Sequence, residues 1–102
     1  MFTILPNPLI PATLTIVGQG REQSLKLVYR HTPVDTYLGM MTAIGEDTLK
    51  PEAAALQLVE SWEADAELGE ATMQQLQNDQ PGVVWAIITG YGQALKVERK
   101  GN

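Results

Sequence analysis

The sequence predicts an α+β domain, mainly helical, in which an N-terminal antiparallel β-hairpin is followed by about four α-helices. Three observations predict it. Two early runs, Ala12-Thr13-Leu14-Thr15-Ile16-Val17 and Leu25-Lys26-Leu27-Val28-Tyr29-Arg30, alternate apolar and polar side chains around a glycine-containing turn. Three proline-led segments then begin at Pro33, Pro51 and Pro81, and proline suits a first helical turn because its missing N–H would have had no partner there. Finally, Val84, Ile87, Ile88, Tyr91 and Leu95 recur at helical spacing in the longest strongly apolar stretch of the chain.

The beginning is punctuated by Pro6-Asn7-Pro8 and Pro11, so residues 1–11 read as an extended arm or edge segment rather than a central strand. Phe2, Ile4 and Leu5 are then available to dock on the core. The hairpin occupies 12–30, with Leu14 and Ile16 on the face shared by Leu25, Leu27 and Tyr29. Gly18-Gln19-Gly20-Arg21-Glu22-Gln23 connects the strands, its glycines supplying positive φ at low cost. An isolated hairpin is marginal, so helices or a third strand must support it.

The helical part spans 32–98. Thr32 is the expected N-cap of the first helix, with Pro33 at its first position, Asp35 at its third and Gly45 at its end. Its apolar face is Val34, Tyr37, Leu38, Met41 and Ile44. The next helix runs from Pro51 to about Trp62, with Ala55, Leu56, Val59 and Trp62 on one side and Leu58 beside them. Glu63-Ala64-Asp65-Ala66-Glu67 forms an acidic connector, and a short helix over 70–78 carries Met73 and Leu76. The helix over 81–95 is central. Its five large apolar side chains stabilise by about 1.5–3 kcal/mol each before entropy is subtracted. Gly90 and Gly92 interrupt it, each at about 1 kcal/mol relative to alanine, as sites of close backbone approach or of a bend. The tail, 99–102, is expected to be disordered.

A chain of 102 residues with 44% apolar residues makes a single domain with one core. No apolar run reaches membrane-spanning length. The start lacks the basic and apolar regions of a signal peptide, so none is expected. The absence of cysteine removes disulfides and thiolate metal sites. The net charge of −5 is uneven: +1 over residues 1–45, −8 over 46–95 and +2 over 96–102. A nucleic-acid binder needs the opposite, a basic face. The acidic middle suits a solvated helical face or a basic protein partner.

Catalytic chemistry is scarce. His31, the one histidine, reads as a structural residue at a strand-to-helix corner, with no serine or cysteine in a nucleophile pattern beside it. Glu60 with Glu63, or Glu63 with Asp65 and Glu67, lack the loop of a calcium site. Gly18-Gln19-Gly20 joins two strands instead of opening a helix, so it is a turn and not a phosphate loop. No catalytic, cofactor-binding or metal residue is assigned. The residues left for contact with another protein are Trp62 and Trp85, because tryptophan is enriched at interface hot spots, with Trp85 alternatively extra core against the hairpin, and Met40 and Met41, which give an adaptable surface or fill the core.

The ordered landmarks carry a resemblance. Phe2 with Pro6-Asn7-Pro8, the hairpin end Tyr29-Arg30-His31, and the block Val59-Glu60-Ser61-Trp62-Glu63-Ala64-Asp65 come first. Gln80-Pro81-Gly82, Tyr91 and the terminal Gly101-Asn102 follow. Together they resemble the small tail assembly chaperones of tailed bacteriophages and prophages. The resemblance implies a non-enzymatic protein that needs no cofactor. It would bind the tape-measure protein, keep that long apolar helical chain soluble, help recruit tail-tube subunits, and leave before the tail is complete. It further implies action in the cytoplasm of the bacterial host and absence from the mature virion, while the charge distribution and the lack of a long apolar run leave no nucleic-acid or membrane partner expected. Self-association is expected wherever an apolar groove stays empty. The alternative is a permanent minor tail or connector subunit, which would remain in purified particles.

Overall fold

Alternation of side chains drives the first 30 residues into a long hairpin. In the computed structural model, which describes residues 1–97, strands β1 (Leu9–Gly18) and β2 (Arg21–Arg30) pair antiparallel over their whole length. The connection is shorter than the sequence suggests. Only Gln19 and Gly20 lie outside the strands, with φ of 55° and 74°. Two successive positive φ values make a tight turn whose twist matches that of the strands. Ile10, Ala12, Leu14 and Ile16 face inward with Leu25, Leu27 and Tyr29, and Leu14 lies directly opposite Leu25.

The sheet has a third strand. The helix opened by Pro51 is α2 (Pro51–Leu58), and it stops four residues before the expected end at Trp62. The chain continues as β3 (Val59–Glu63), antiparallel to β2, with Leu27 opposite Trp62 and Tyr29 opposite Val59. The order β1-β2-β3 puts β2 in the centre. Pro11 is therefore accommodated on an edge strand, where its missing donor breaks no ladder. Arg30 secures the change from helix to strand. Its Nη1 donates to the carbonyls of Leu56 and Gln57, both at 3.2 Å, and its Nε donates to Glu60 Oε2 at 2.6 Å. Those carbonyls lose their intrahelical partners because residues 60 and 61 have left the helix. Val59-Glu60-Ser61-Trp62 carries a β-branched and an aromatic residue, and it meets the open edge of β2.

Helix α1 (Val34–Gly45) begins one residue later than expected. Pro33, not Thr32, occupies the N-cap position, and no side chain caps the helix. Thr32 is held instead by Tyr91, whose hydroxyl accepts from the Thr32 N–H at 2.5 Å and donates to its carbonyl at 2.6 Å. The apolar face is also rotated. Met40 is buried and Tyr37, Met41 and Ile44 are half-buried, whereas Val34 and Leu38 are each 57% exposed. Tyr37, which donates to the Ile88 carbonyl at 2.8 Å, sets the phase of the helix.

Helices α3 (Glu70–Asp79) and α4 (Pro81–Ala94) complete the chain as expected, and α4 is the centre of the core. Val84, Ile87, Ile88 and Tyr91 are fully buried with Tyr29, Leu58, Val59 and Met73. The glycines of α4 admit side chains, not another backbone. A Cβ at Gly90 would stand 2.7 Å from Tyr29 Oη and 2.8 Å from Leu14 Cδ2, and one at Gly92 would stand 3.0 Å from Tyr37 Oη. Through these gaps Tyr29 donates to the Ile87 carbonyl at 2.7 Å and Tyr37 reaches Ile88. The rings of Tyr29 and Tyr37 lie 5.3 and 5.1 Å from that of Tyr91, the first edge-on. All three tyrosines of the chain thus join hairpin, α1 and α4 at one point. Phe2, Ile4 and Leu5 do not dock on the core. They are 84%, 84% and 80% exposed on an arm whose root is fixed by the His31 N–H donating to the Pro8 carbonyl at 2.9 Å. The expected tail over 99–102 lies outside the described residues.

Candidate protein-binding surfaces

The two ten-residue strands extend beyond the region of β2 that β3 covers, and α3 and α4 flank the space beneath their inner face. The result is an open groove of about 590 Å³. Its apolar lining comes from Ile16 and Leu25 on the hairpin, Trp62 on β3, Leu76 on α3 and Val83 on α4. Each is half-buried. Trp62 shapes one wall. Its Nε1 donates to the Ala66 carbonyl at 2.9 Å, so the acidic connector curls back beside the indole. Among the described residues, Glu63, Asp65 and Asp79 border the groove together with one cation, Arg21.

Further apolar surface is uncovered on the outer side of α1 and on the arm. Val34 and Leu38 are uncovered, and the Pro8–His31 hydrogen bond roots the apolar arm three residues before α1 begins. Trp85, 38% exposed, precedes Gly92 by seven residues, close to two helical turns, so it lies on the side of α4 that meets Tyr37 of α1. Val83, two residues earlier, points the other way, into the groove.

The four residues singled out as partner contacts are therefore not brought together. Trp62 lines the groove. Trp85 is exposed on the opposite side of α4, Met41 is half-buried on α1, and Met40 is a core residue at 8% exposure. Sequence reasoning missed Ile16, Leu25, Leu76, Val83 and Asp79 as members of one surface, because the fold assembles them from four elements. The arm was visible as an apolar start, but its exposure was not.

His31 sits half-buried at the β2–α1 corner. Glu60 is committed to Arg30, and among the described residues no group of three His, Asp or Glu side chains is arranged to hold a metal ion. No described helix is long and apolar enough to cross a membrane. The molecule is a small α+β domain with uncovered apolar surface on two sides. Residues 2–102 match the phage tail assembly chaperone family, and the chain belongs to it. No curated protein and no solved structure matches the chain.

Proposed function

We propose that the protein acts without catalysis in the cytoplasm of the bacterial host, where it binds the phage tape-measure protein, keeps it soluble and helps recruit tail-tube subunits before leaving the tail. The observation that carries this reading is uncovered apolar surface, in the groove at Trp62, on the arm and on the outer side of α1, in a chain matched to the family over residues 2–102. A long helical chain with apolar stripes needs such surface to cover it until its own partners assemble. Trp62 and Trp85 are the principal contacts, Met41 contributes from α1, and Met40 supports it from the core.

Co-expression with the tape-measure protein of the same phage, followed by affinity capture and size-exclusion chromatography, tests this. The tape-measure chain should become soluble and co-elute. Alanine at Trp62 and Trp85 together should lower the captured amount at least about tenfold, as loss of hot-spot tryptophans does. A tape-measure chain that stays insoluble while this protein elutes alone would overturn the reading. Retention of the protein in purified virions would make it a structural subunit instead.

A further inference from the structure

We propose that the groove between the hairpin tip and helices α3 and α4 is the docking site for an amphipathic helix whose apolar stripe is flanked by lysines or arginines. The inference deepens the tape-measure reading and rests on it for the identity of the helix, not for its chemistry. Shape gives the first argument. The groove holds about 590 Å³. A helix is about 10–12 Å across with its side chains, too wide to sink into such a space. It can lie along the opening and insert side chains spaced i, i+3, i+4 and i+7. Each element that builds the groove contributes an apolar side chain, Leu25 and Trp62 on the sheet side and Leu76 and Val83 on the helix side, set among polar ones such as Gln23, Thr72 and Gln75.

Charge gives the second. Glu63 lies across the strands from Lys26. Among the described residues, Asp65 and Asp79 have no cation within salt-bridge distance, and Arg21 is the one cation on the border. The surrounding segment, 46–95, holds nine acidic residues against Lys50 alone. An acidic border repels an acidic helix and draws a basic one, fixing which apolar stripe is accepted.

The test uses the full chain and two synthetic helical peptides with the same leucine stripe, one flanked by lysines and one by glutamates. Each is dye-labelled and titrated by fluorescence anisotropy. The lysine peptide should bind at least about tenfold more tightly than the glutamate peptide, and the difference should shrink as salt rises, as screening requires. In the variant D65K/D79K, checked for native circular dichroism, the preference should reverse. Equal binding of both peptides, no binding of either, or an unreversed preference in the folded variant would overturn the proposal. Two rival occupants have their own signatures. Tighter peptide binding by R99E/K100E would make the chain's own basic end the occupant, and peptide binding that competes with dimerisation in sedimentation would make it a second copy. Either result would overturn the assignment. The peptide titrations separate this proposal from the chaperone reading. If the peptides fail to discriminate while wild-type protein solubilises the tape-measure chain, the groove is wrong and the chaperone stands. If the peptides discriminate but wild-type protein leaves that chain insoluble, the groove stands and the chaperone reading falls.

Discussion

Adding one methyl group at Gly90 sets two effects against each other. Alanine gains about 1 kcal/mol of helix propensity over glycine. Its Cβ, however, would press on Tyr29 Oη at 2.7 Å and on Leu14 Cδ2 at 2.8 Å, with both residues fixed in the sheet. Overpacking of this kind costs about 1–3 kcal/mol, and displacing the phenol also loses the bond to Ile87. G90A should therefore lower stability in urea by about 1–2 kcal/mol, whereas G92A, with its nearest contact at 3.0 Å and a half-exposed position, should be nearly neutral. Equal effects would remove the distinction. The same joint gives a pH dependence. Burial raises the pKa of Tyr29 far above its ordinary 10.0, and burial raises that of Tyr37 as well. The protonated phenols are favoured by the fold, so their contribution is complete below about pH 10 and is lost as pH rises above it. Y29F should lose about 1 kcal/mol at neutral pH and less at about pH 11, read as converging urea midpoints. A constant gap would show that Tyr29 does not titrate with unfolding. The sequence marked the two glycines as costly, but not the reason. The phenols that fill them come from Tyr29 and Tyr37, whose carbonyl partners Ile87 and Ile88 lie 58 and 51 residues further along the chain.

At the level of the element, the informative boundary is Leu58–Val59. Ala55, Leu56, Val59 and Trp62 fit a helical stripe, and a five-residue strand is too short for its alternation to compete with that reading. The unpaired edge of β2, a property of the sheet, decides the matter. Arg30 then holds the boundary from the neighbouring strand. The Arg30–Glu60 side chains are 47% and 46% exposed, so the ion pair alone is worth at most about 1 kcal/mol. The two carbonyls it also satisfies give R30A a larger effect than E60Q. R30A should cost about 1–2 kcal/mol and E60Q about half that. Hydrogen exchange should quicken first at the amides of β3. R30K should resemble R30A, because a lysine has no planar fork to span Leu56, Gln57 and Glu60. Full stability in R30K would mean that charge, not geometry, secures the strand. Elements with several turns of clear period, α3 and α4, were legible to within a residue or two. The phase of α1 was not, because it is set by Tyr37 reaching the Ile88 carbonyl of α4, a contact 51 residues away in the chain.

Across the whole molecule, the fold class was legible because hairpin and helices announce themselves locally, and the family because short landmarks keep their order along the chain. The binding surfaces were legible only in part. Trp62 could be singled out as an aromatic, but Ile16 and Asp79 become its neighbours only after the chain has folded. The arm poses the sharpest question at this scale. Met1, Phe2, Ile4 and Leu5 are all at least 80% exposed, so they contribute almost nothing to the core of this chain. Apolar groups left in water have no stabilising role until something covers them, and a contiguous patch rimmed by polar surface marks an interaction site. Replacing Phe2, Ile4 and Leu5 by serine should therefore leave the urea midpoint of the isolated protein within about 0.5 kcal/mol of wild type. The same change should reduce both hydrophobic-dye binding and self-association in sedimentation velocity. A marked loss of stability would show that the arm folds back on its own core, and unchanged dye binding would place the sticky surface on α1, at Val34 and Leu38, or in the groove at Trp62.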